Sequence, residues 1–557
     1  MLLEGLGIAT VIGNYIGTDD DGEQDVGNAG NGIQIIGSNK TIGGTTAGAR
    51  NVISRNDGHG VAVDGNLPAD GDNNVIQGNY IGTDKDGNQY LGNGSHGVFL
   101  ADEATGNTIG GNNATPGGSC SGACNLISGN IRGIAISEEP SGANRIFGNY
   151  IGTDVSGTLD VGNAFGGIVV ASSNNEIGDV AAARRNLISG NDDAGNPGVL
   201  IGGGDNNVVE GNYIGVQVNG TSALGNGGAG LVIDDYFDNA LNNTVGGTTA
   251  GAANVIAFNA GDGVGITNTN FPGDGAPTGN RILRNSIHSN GGLGIDLTND
   301  GVTPNDLGSP PDSDGGENNL QNFPNLTAAV GASAAVTVDG TLASTPNRVF
   351  RVELFSNPAC DAANPNDFGE GRTYLGFRNV TTDAGGNVSF SATFLSGVPA
   401  GSAITATATD NTIGDTSEFS ECEPVVNGPA TCNGLAVTIA GTSGPNTITG
   451  TGGADVIHAQ GGSDTVKGLT GNDTICLAGG NDTAHGGGGS DKVFASTGND
   501  TLNGNGGNDT LNGEGGQDAM NGGAHLGNPP GDTCNGGNHP AGFPDTTSGC
   551  ETITGMP

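Results

Sequence analysis

The sequence predicts an all-β chain: a right-handed parallel β-helix over residues 1–302, a linker over 303–325, an antiparallel β-sandwich over 326–427 and a parallel β-roll over 432–557. Three observations carry this. Glycine supplies 110 of 557 residues against an ordinary share near ~7%, which nearly excludes helix. Aromatics are only 4% with no Trp, so a core must be built from small aliphatic side chains. Self-similarity also changes character twice along the chain, from a long irregular period to alternation and then to a strict period of nine.

Composition removes several classes. The glycines keep no third-residue period, so the chain is not collagen. Sixteen Lys and Arg against 58 Asp and Glu give a net charge of −42, a poor surface for nucleic acid. No run of about 18 apolar residues suggests a membrane span. Eight cysteines without zinc-like spacing point to disulfides and hence to an oxidising, extracellular or cell-surface location. The opening residues lack a basic region and a small-residue cleavage site, so they are not a secretory signal. Ile8, Val11 and Ile12 already belong to a coil with no amphipathic cap before them, so the chain reads as the C-terminal part of a longer product or as a misplaced start.

In the first region the hexapeptide Asn-x-(Ile/Val)-x-x-Asn recurs from Asn51, Asn74, Asn125, Asn144, Asn186, Asn207, Asn254 and Asn280, with close steps of 23, 19, 21 and 26 residues. Gly-Asn-Tyr-Ile-Gly recurs at Gly13, Gly78, Gly148 and Gly211, in steps of 65, 70 and 63. Three coils of about 22 residues per long unit account for both periods. Short strands such as 32–36 and 167–170, separated by Gly, Asn and Asp turns, cannot bury an apolar side alone; stacked ~4.8 Å apart they form one continuous core. Asn suits the turns because it tolerates left-handed backbone and its amide can hydrogen-bond along a stack. With its Ile-Gly-Thr-Asp blocks and Asn-Thr-Ile-Gly-Gly at Asn107, this region resembles the bacterial right-handed parallel β-helix repeat proteins of the pectate-lyase-like superfamily. The resemblance implies a secreted or surface protein, in a group mostly without assigned chemistry.

Prolines 304, 310, 311 and 324 among Asp, Asn and Gly mark the linker. Beyond it Val336 and Val338, then Phe350, Val352 and Leu354, then Val388, Phe390, Ala392 and Phe394, then Ile404, Ala406 and Ala408 alternate with polar residues. That is a sandwich of immunoglobulin-like size, expected to be stapled by Cys360 and Cys422 and to serve as a spacer.

In the last region Asp455, Asp464, Asp473, Asp482, Asp491, Asp500, Asp509 and Asp518 follow one another at nine-residue steps. Gly453, Gly462, Gly471, Gly480, Gly489, Gly498, Gly507 and Gly516 each stand two residues before an Asp, and an apolar residue stands two after. This pattern resembles the G-G-x-G-x-D-x-U-x nonapeptide of calcium-binding RTX (hemolysin-type) repeats. Six residues turn and three make a minimal strand, and two nonapeptides complete a coil, so Asp residues 18 apart stack in two columns. Neighbouring carboxylates at about 5 Å repel by roughly 1 kcal/mol even in water, and a cation between turns reverses that sign. Ca²⁺ fits because it takes six to eight oxygens in loose geometry, and neither thiolate nor imidazole clusters are offered for zinc. Ala459, Leu477 and Ala495 replace the first Gly of the motif, Asn446 holds an early Asp place, and residues 525–531 break the period. Asp532 with Cys534 and Cys550 reads as a disulfide-tied cap, with Cys432 and Cys476 tying the other end.

No catalytic residue is assigned. His59 and the pair Asp192, Asp193 resemble fragments of polygalacturonase motifs, but their order is reversed and no Arg-Ile-Lys follows. His59 and His96 fill slots that vary from coil to coil. Asp19, Asp20, Asp21, Asp84 and Asp86 are acidic enough for a cation but sit in Gly-containing turns. Tyr15, Tyr80, Tyr150 and Tyr213 share one repeat position, either a ladder or a sugar-stacking stripe. The expected function is therefore a calcium-binding repeat protein with a structural, adhesive or interaction role toward a cell-surface component or extracellular polysaccharide. The alternative is a polysaccharide lyase or glycoside hydrolase acting on the β-helix face.

Overall fold

The computed structural model describes the chain apart from residues 6, 66–70, 138–140, 192–194, 270–274, 309, 333–334, 361–367, 428–430, 443, 524–530, 538–544 and 555–557. It divides into two compact units, Met1–Val426 and Asn427–Pro557. Among the described residues, no helix is long and apolar enough to cross a membrane.

The first unit opens with a parallel β-helix whose three sheets hold ten, nine and nine strands. Each coil visits all three. Ile33 and Ile35, Val61 and Val63, Val98 and Leu100, Ile134 and Ile136 point inward from the first sheet. Ile42, Ile76, Ile109 and Ile146 do so from the second, and Ile53, Ile81, Ile127 and Ile151 from the third. Strands of two to six residues leave room for only one or two inward side chains each, and stacked β-branched residues fill that narrow interior without rings.

The coil length corrects the sequence reading. Ile33 pairs with Val61 and Val61 with Val98, so one coil is about 28 to 37 residues rather than 22. The Asn hexapeptide flanks strands of both the second and the third sheet, as at Val75–Gln77 and Val52–Ile53, so its close step spans only part of a coil. The long unit of 63 to 70 residues is two coils. Its cause lies outside the third sheet, where hairpins closed by the bridges Thr18–Asp25, Thr83–Tyr90, Thr153–Asp160 and Val216–Ala223 protrude at every second coil. A hairpin is two strands deep, roughly twice 4.8 Å, so neighbours stack only when two coils separate them. They do stack: Val155 N–H donates to Gly87 O at 2.8 Å and Val218 N–H to Gly157 O at 3.0 Å.

Each corner of the coil carries an asparagine ladder. Between the second and third sheets, the Nδ2 groups of Asn51, Asn79, Asn125, Asn149, Asn186, Asn212 and Asn254 each donate to Oδ1 of the Asn one coil on, ending at Asn285, over 2.9–3.2 Å. Between the third and first, Asn56, Asn93, Asn130, Asn163, Asn191, Asn226, Asn259 and Asn290 form a second ladder. Between the first and second, Asn74, Asn107, Asn144, Asn175, Asn207, Asn243 and Asn280 form a third. A primary amide carries both donor and acceptor, so it satisfies an identical neighbour above and below. Glycine is required beside these ladders: Gly152 has φ +91°, and a Cβ there would lie 2.4 Å from the Ser189 carbonyl oxygen. At the head of the third ladder stands fully buried Lys40, whose Nζ donates to the carbonyls of Gly5, Gly7 and Ser38.

Seven antiparallel strands follow, in the sheet order 373–381, 349–357, 403–410, 423–427, 325–332, 335–343 and 387–394. Their core holds Val336, Val338, Phe350, Val352, Leu354, Phe390, Ala392, Ile404, Ala406 and Ala408, residues of the alternating set. Residues 303–325 are tied by hydrogen bonds such as Asp306 N–H to Asn322 Oδ1 at 2.8 Å and Asn322 Nδ2 to Ala343 O at 2.8 Å. Among the described residues the disulfides Cys120–Cys124, Cys432–Cys476 and Cys534–Cys550 are formed.

The antiparallel strands close the end of the β-helix. Phe355 and Phe419 enter its hydrophobic core, and Ile287 bridges Gly371. Carboxylates accept the last coils' exposed N–H groups: Glu353 from Arg284 at 2.7 Å, Glu370 from Asn290 at 3.0 Å, and Glu418 from Leu297 at 3.0 Å and Thr303 at 2.9 Å. An open solenoid end is otherwise a template for further pairing.

Two outcomes test these contacts. Asn149→Ala removes the acceptor of Asn125 Nδ2 and should cost about 1–3 kcal/mol, read as denaturant stability of the first unit. Phe419→Ala, at 3% exposure, should cost ~3–5 kcal/mol and loosen hydrogen-exchange protection in the last coils first.

Candidate metal centre

The second unit is a smaller parallel solenoid of two sheets, with seven and six strands among the described residues. Three-residue strands Val456–His458, Thr474–Cys476, Lys492–Phe494 and Thr510–Asn512 stack on one side. On the other stand Thr447–Thr449, Thr465–Thr470, Thr483–Gly488, Thr501–Gly506 and Ala519–Asn521. Only the middle side chain of each nonapeptide strand turns inward, and Ile457, Val466, Ile475, Ala484, Val493, Leu502 and Leu511 are fully buried. Ala459, Leu477 and Ala495, which stand where the motif has its first Gly, join that core.

The turns carry the columns. The backbone N–H of each Asp donates to Oδ1 of the Asp one coil on, at 2.8 Å from Asp455 to Asp473 and from Asp473 to Asp491, and at 2.9 Å from Asp491 to Asp509. The second column repeats this at 2.7 Å from Asp464 to Asp482, 2.8 Å from Asp482 to Asp500 and 2.9 Å from Asp500 to Asp518. Oδ1 is thereby used, whereas Oδ2 of Asp464, Asp473, Asp482, Asp491, Asp500 and Asp509 is buried with no hydrogen-bond partner. Asp455 differs, because its Oδ2 accepts from the N–H and hydroxyl of Thr451.

The glycines two residues before each Asp are there for conformation and space. From Gly462 to Gly516 they hold φ between +115° and +149°. A Cβ on Gly480, Gly498 or Gly516 would lie 1.9, 1.6 or 1.5 Å from the carbonyl oxygen of the glycine one coil before, and Gly489 and Gly507 are crowded likewise by Gly471 and Gly489. Gly453 heads its column without this left-handed backbone. Carbonyls and carboxylates thus crowd the same turns.

Burial pushes the carboxyls of Asp482, Asp491, Asp500 and Asp509 up to about 6, against the lowering effect of the N–H each accepts and with neighbouring carboxylates adding to the rise. An unpaired buried charged oxygen is costly, and a cation that favours oxygen ligands supplies the missing partner. The donor set fits a hard divalent ion of flexible coordination, which is Ca²⁺ rather than Mg²⁺ or zinc.

Residues 440–475, 478–502 and 494–524 match the family model of the RTX calcium-binding nonapeptide repeat (4 copies). These are calcium-binding repeats. A search of curated proteins found no match to the chain. The RTX columns extend beyond what the nine-residue period revealed: Asp509 N–H donates to Asp532 Oδ1 and Asp518 N–H to Asp545 Oδ1, both at 2.8 Å, and Asp532 N–H to Glu551 Oε2 at 2.6 Å. The signal available in the sequence was the Asp-Thr-Cys of 532–534 and the Asp-Thr-Thr of 545–547, which keep Asp and strand but lack the glycine two residues before.

Other candidates resolve into packing. Asp19 and Asp84 each accept two N–H groups of their own hairpin, as does Asp154. Asp19, Asp20 and Asp21 lie near one another, two of them exposed. Tyr80 and Tyr150 are 3% exposed beneath the hairpins, and Arg50 stacks on Tyr80 and Arg185 on Tyr213, so these three form a lateral ladder instead of a sugar platform, while Tyr15 at the first of the four positions is 45% exposed. His59 stacks on Phe99 at 4.6 Å and adjoins His96, whose pKa burial depresses to about 4. Asp192 and Asp193 lie outside the described residues.

A pH series tests the columns. A carboxyl at about 6 when folded and 3.8 when unfolded binds more protons in the folded state between those values, so acid stabilises the calcium-free unit and rising pH removes that stability. In excess chelator the melting temperature of this unit should rise as pH falls from about 7 to about 5. Under saturating calcium the trend should reverse, because protons compete with the ion.

Proposed function

We propose that this is an extracellular calcium-dependent repeat protein in which the β-helix serves as a rigid interaction or adhesive surface and calcium completes the C-terminal unit. The observation that carries the reading is the run of buried Oδ2 atoms without partners along two columns. The disulfides Cys120–Cys124, Cys432–Cys476 and Cys534–Cys550 and the calcium-binding repeats both suit an oxidising, calcium-rich exterior. The outer face of the first sheet supports a surface role: half-buried Phe99, Leu200 and Val232 align coil over coil with buried Ala135 and Val169 in one apolar row. A cell-surface component or an extracellular polysaccharide is the partner class this reading favours, with the antiparallel strands acting as a sandwich-like end cap.

The test is calcium titration of the intact chain followed by circular dichroism and calorimetry. Calcium should raise the melting transition of the C-terminal unit and leave that of the asparagine-laddered unit unchanged. Asp491→Asn with Asp500→Asn should weaken the response by removing charge from the middle of both columns. A transition insensitive to millimolar calcium would contradict the reading. Assays for reducing ends and unsaturated products over a polysaccharide panel should show no turnover; product formation would favour the enzymatic alternative.

A further inference from the structure

The family match ends at residue 524, and the nine-residue step ends with it. Separations of 23 residues from Asp509 to Asp532 and 27 from Asp518 to Asp545 replace the regular 18. The coils nevertheless continue in register. Thr533–Asn535 pairs in parallel with Thr510–Asn512, bringing Cys534 beside Leu511, and Thr546–Ser548 pairs with Ala519–Asn521. Asp532 is 0% exposed and Asp545 8% exposed, and Oδ2 of each is buried without a hydrogen-bond partner, as it is at Asp491 and Asp500.

We propose that both calcium columns run past the regular repeats, with Asp532 and Asp545 as further calcium ligands held in place by the Cys534–Cys550 disulfide. The inference rests on the calcium reading of the regular columns. Its physical basis is the same unmet oxygen. Asp532 and Asp545 use Oδ1 to accept the N–H of the preceding coil, which leaves Oδ2 buried and without a hydrogen-bond partner. Glu551 occupies the next step of the first column and accepts Asp532 N–H at 2.6 Å. The disulfide brackets these residues, with Cys534 two residues after Asp532 and Cys550 immediately before Glu551. Where glycine turns fix the earlier ligands, a covalent link fixes the last ones. Calcium at the terminal positions and the closed disulfide therefore stabilise each other.

The experiment counts calcium bound to the intact oxidised chain by equilibrium dialysis. Asp→Asn keeps an Oδ1 acceptor for the neighbouring N–H and removes the charge, so D532N/D545N should stay folded while binding fewer ions than the parent protein. D491N/D500N is the internal control. If D491N/D500N loses ions and D532N/D545N loses none, the columns stop at Asp509 and Asp518 and the inference is overturned. If neither loses ions, the calcium reading of the columns fails as well. A second measurement needs no variant: saturating calcium should slow dithiothreitol reduction of Cys534–Cys550 by about tenfold or more, followed by mass spectrometry. An unchanged reduction rate would overturn the inference even if the variants misfold.

Discussion

Every coil of a parallel solenoid repeats the same turn above and below itself, so any polar group in that turn meets its own copy. The chain solves this in two ways that differ by one atom. In the first unit the stacked residue is Asn, whose Nδ2 donates to the next Oδ1, as from Asn149 to Asn186 at 3.2 Å. In the second unit it is Asp, which has no donor to offer. At Asp473 and Asp491 Oδ1 is met by a backbone N–H, but Oδ2 is buried without a hydrogen-bond partner. An amide ladder is complete in itself, whereas a carboxylate ladder is complete only with a cation. Asn446 shows the exchange at one position, since it begins the second column and sends Nδ2 toward Asp464 Oδ1 at 3.2 Å, as an Asn in the first unit would.

The same constraint governs the ends. A last coil has N–H groups facing no further copy, and there the chain again uses carboxylates, now as pure acceptors. Glu353, Glu370 and Glu418 of the antiparallel strands receive the exposed N–H groups of the final β-helix coils. Phe355 and Phe419 cover the hydrophobic interior that stacking would otherwise cover. In the second unit a disulfide follows the last column step, from Asp532 to Glu551.

What the sequence revealed follows from how strictly each element repeats. The nine-residue period was legible because its turns are too tight for insertion, with glycine φ values near +140° and carbonyls where a Cβ would stand. The β-helix coil was misjudged because Asn marks all three corners, so the hexapeptide appears on two different sheets, and because hairpins tie the Tyr motif to alternate coils. Asp532 was read as part of a disulfide-tied cap rather than as a column step, and Asp545 was not singled out, because loops of unequal length intervene and no glycine precedes them by two residues.

The net charge of −42 takes on a meaning once each carboxylate is matched to its donors. Asp84 accepts two N–H groups within its hairpin, and Glu418 accepts one from Leu297 of the last coil and one from Thr303 just after it. In both places donors converge on one side chain and nothing needs to be donated in return, so a carboxylate serves better than an amide. In the ladders of the first unit a donor and an acceptor are both required, and the amide is retained. The columns of the second unit are the exception, because Asp473, Asp482, Asp491, Asp500 and Asp509 each accept one N–H through Oδ1 and keep Oδ2 unmet in a buried turn. Counting donors therefore separates acids that finish a fold by themselves from acids that wait for an ion, and it singles out the same turns that the repeat pattern does.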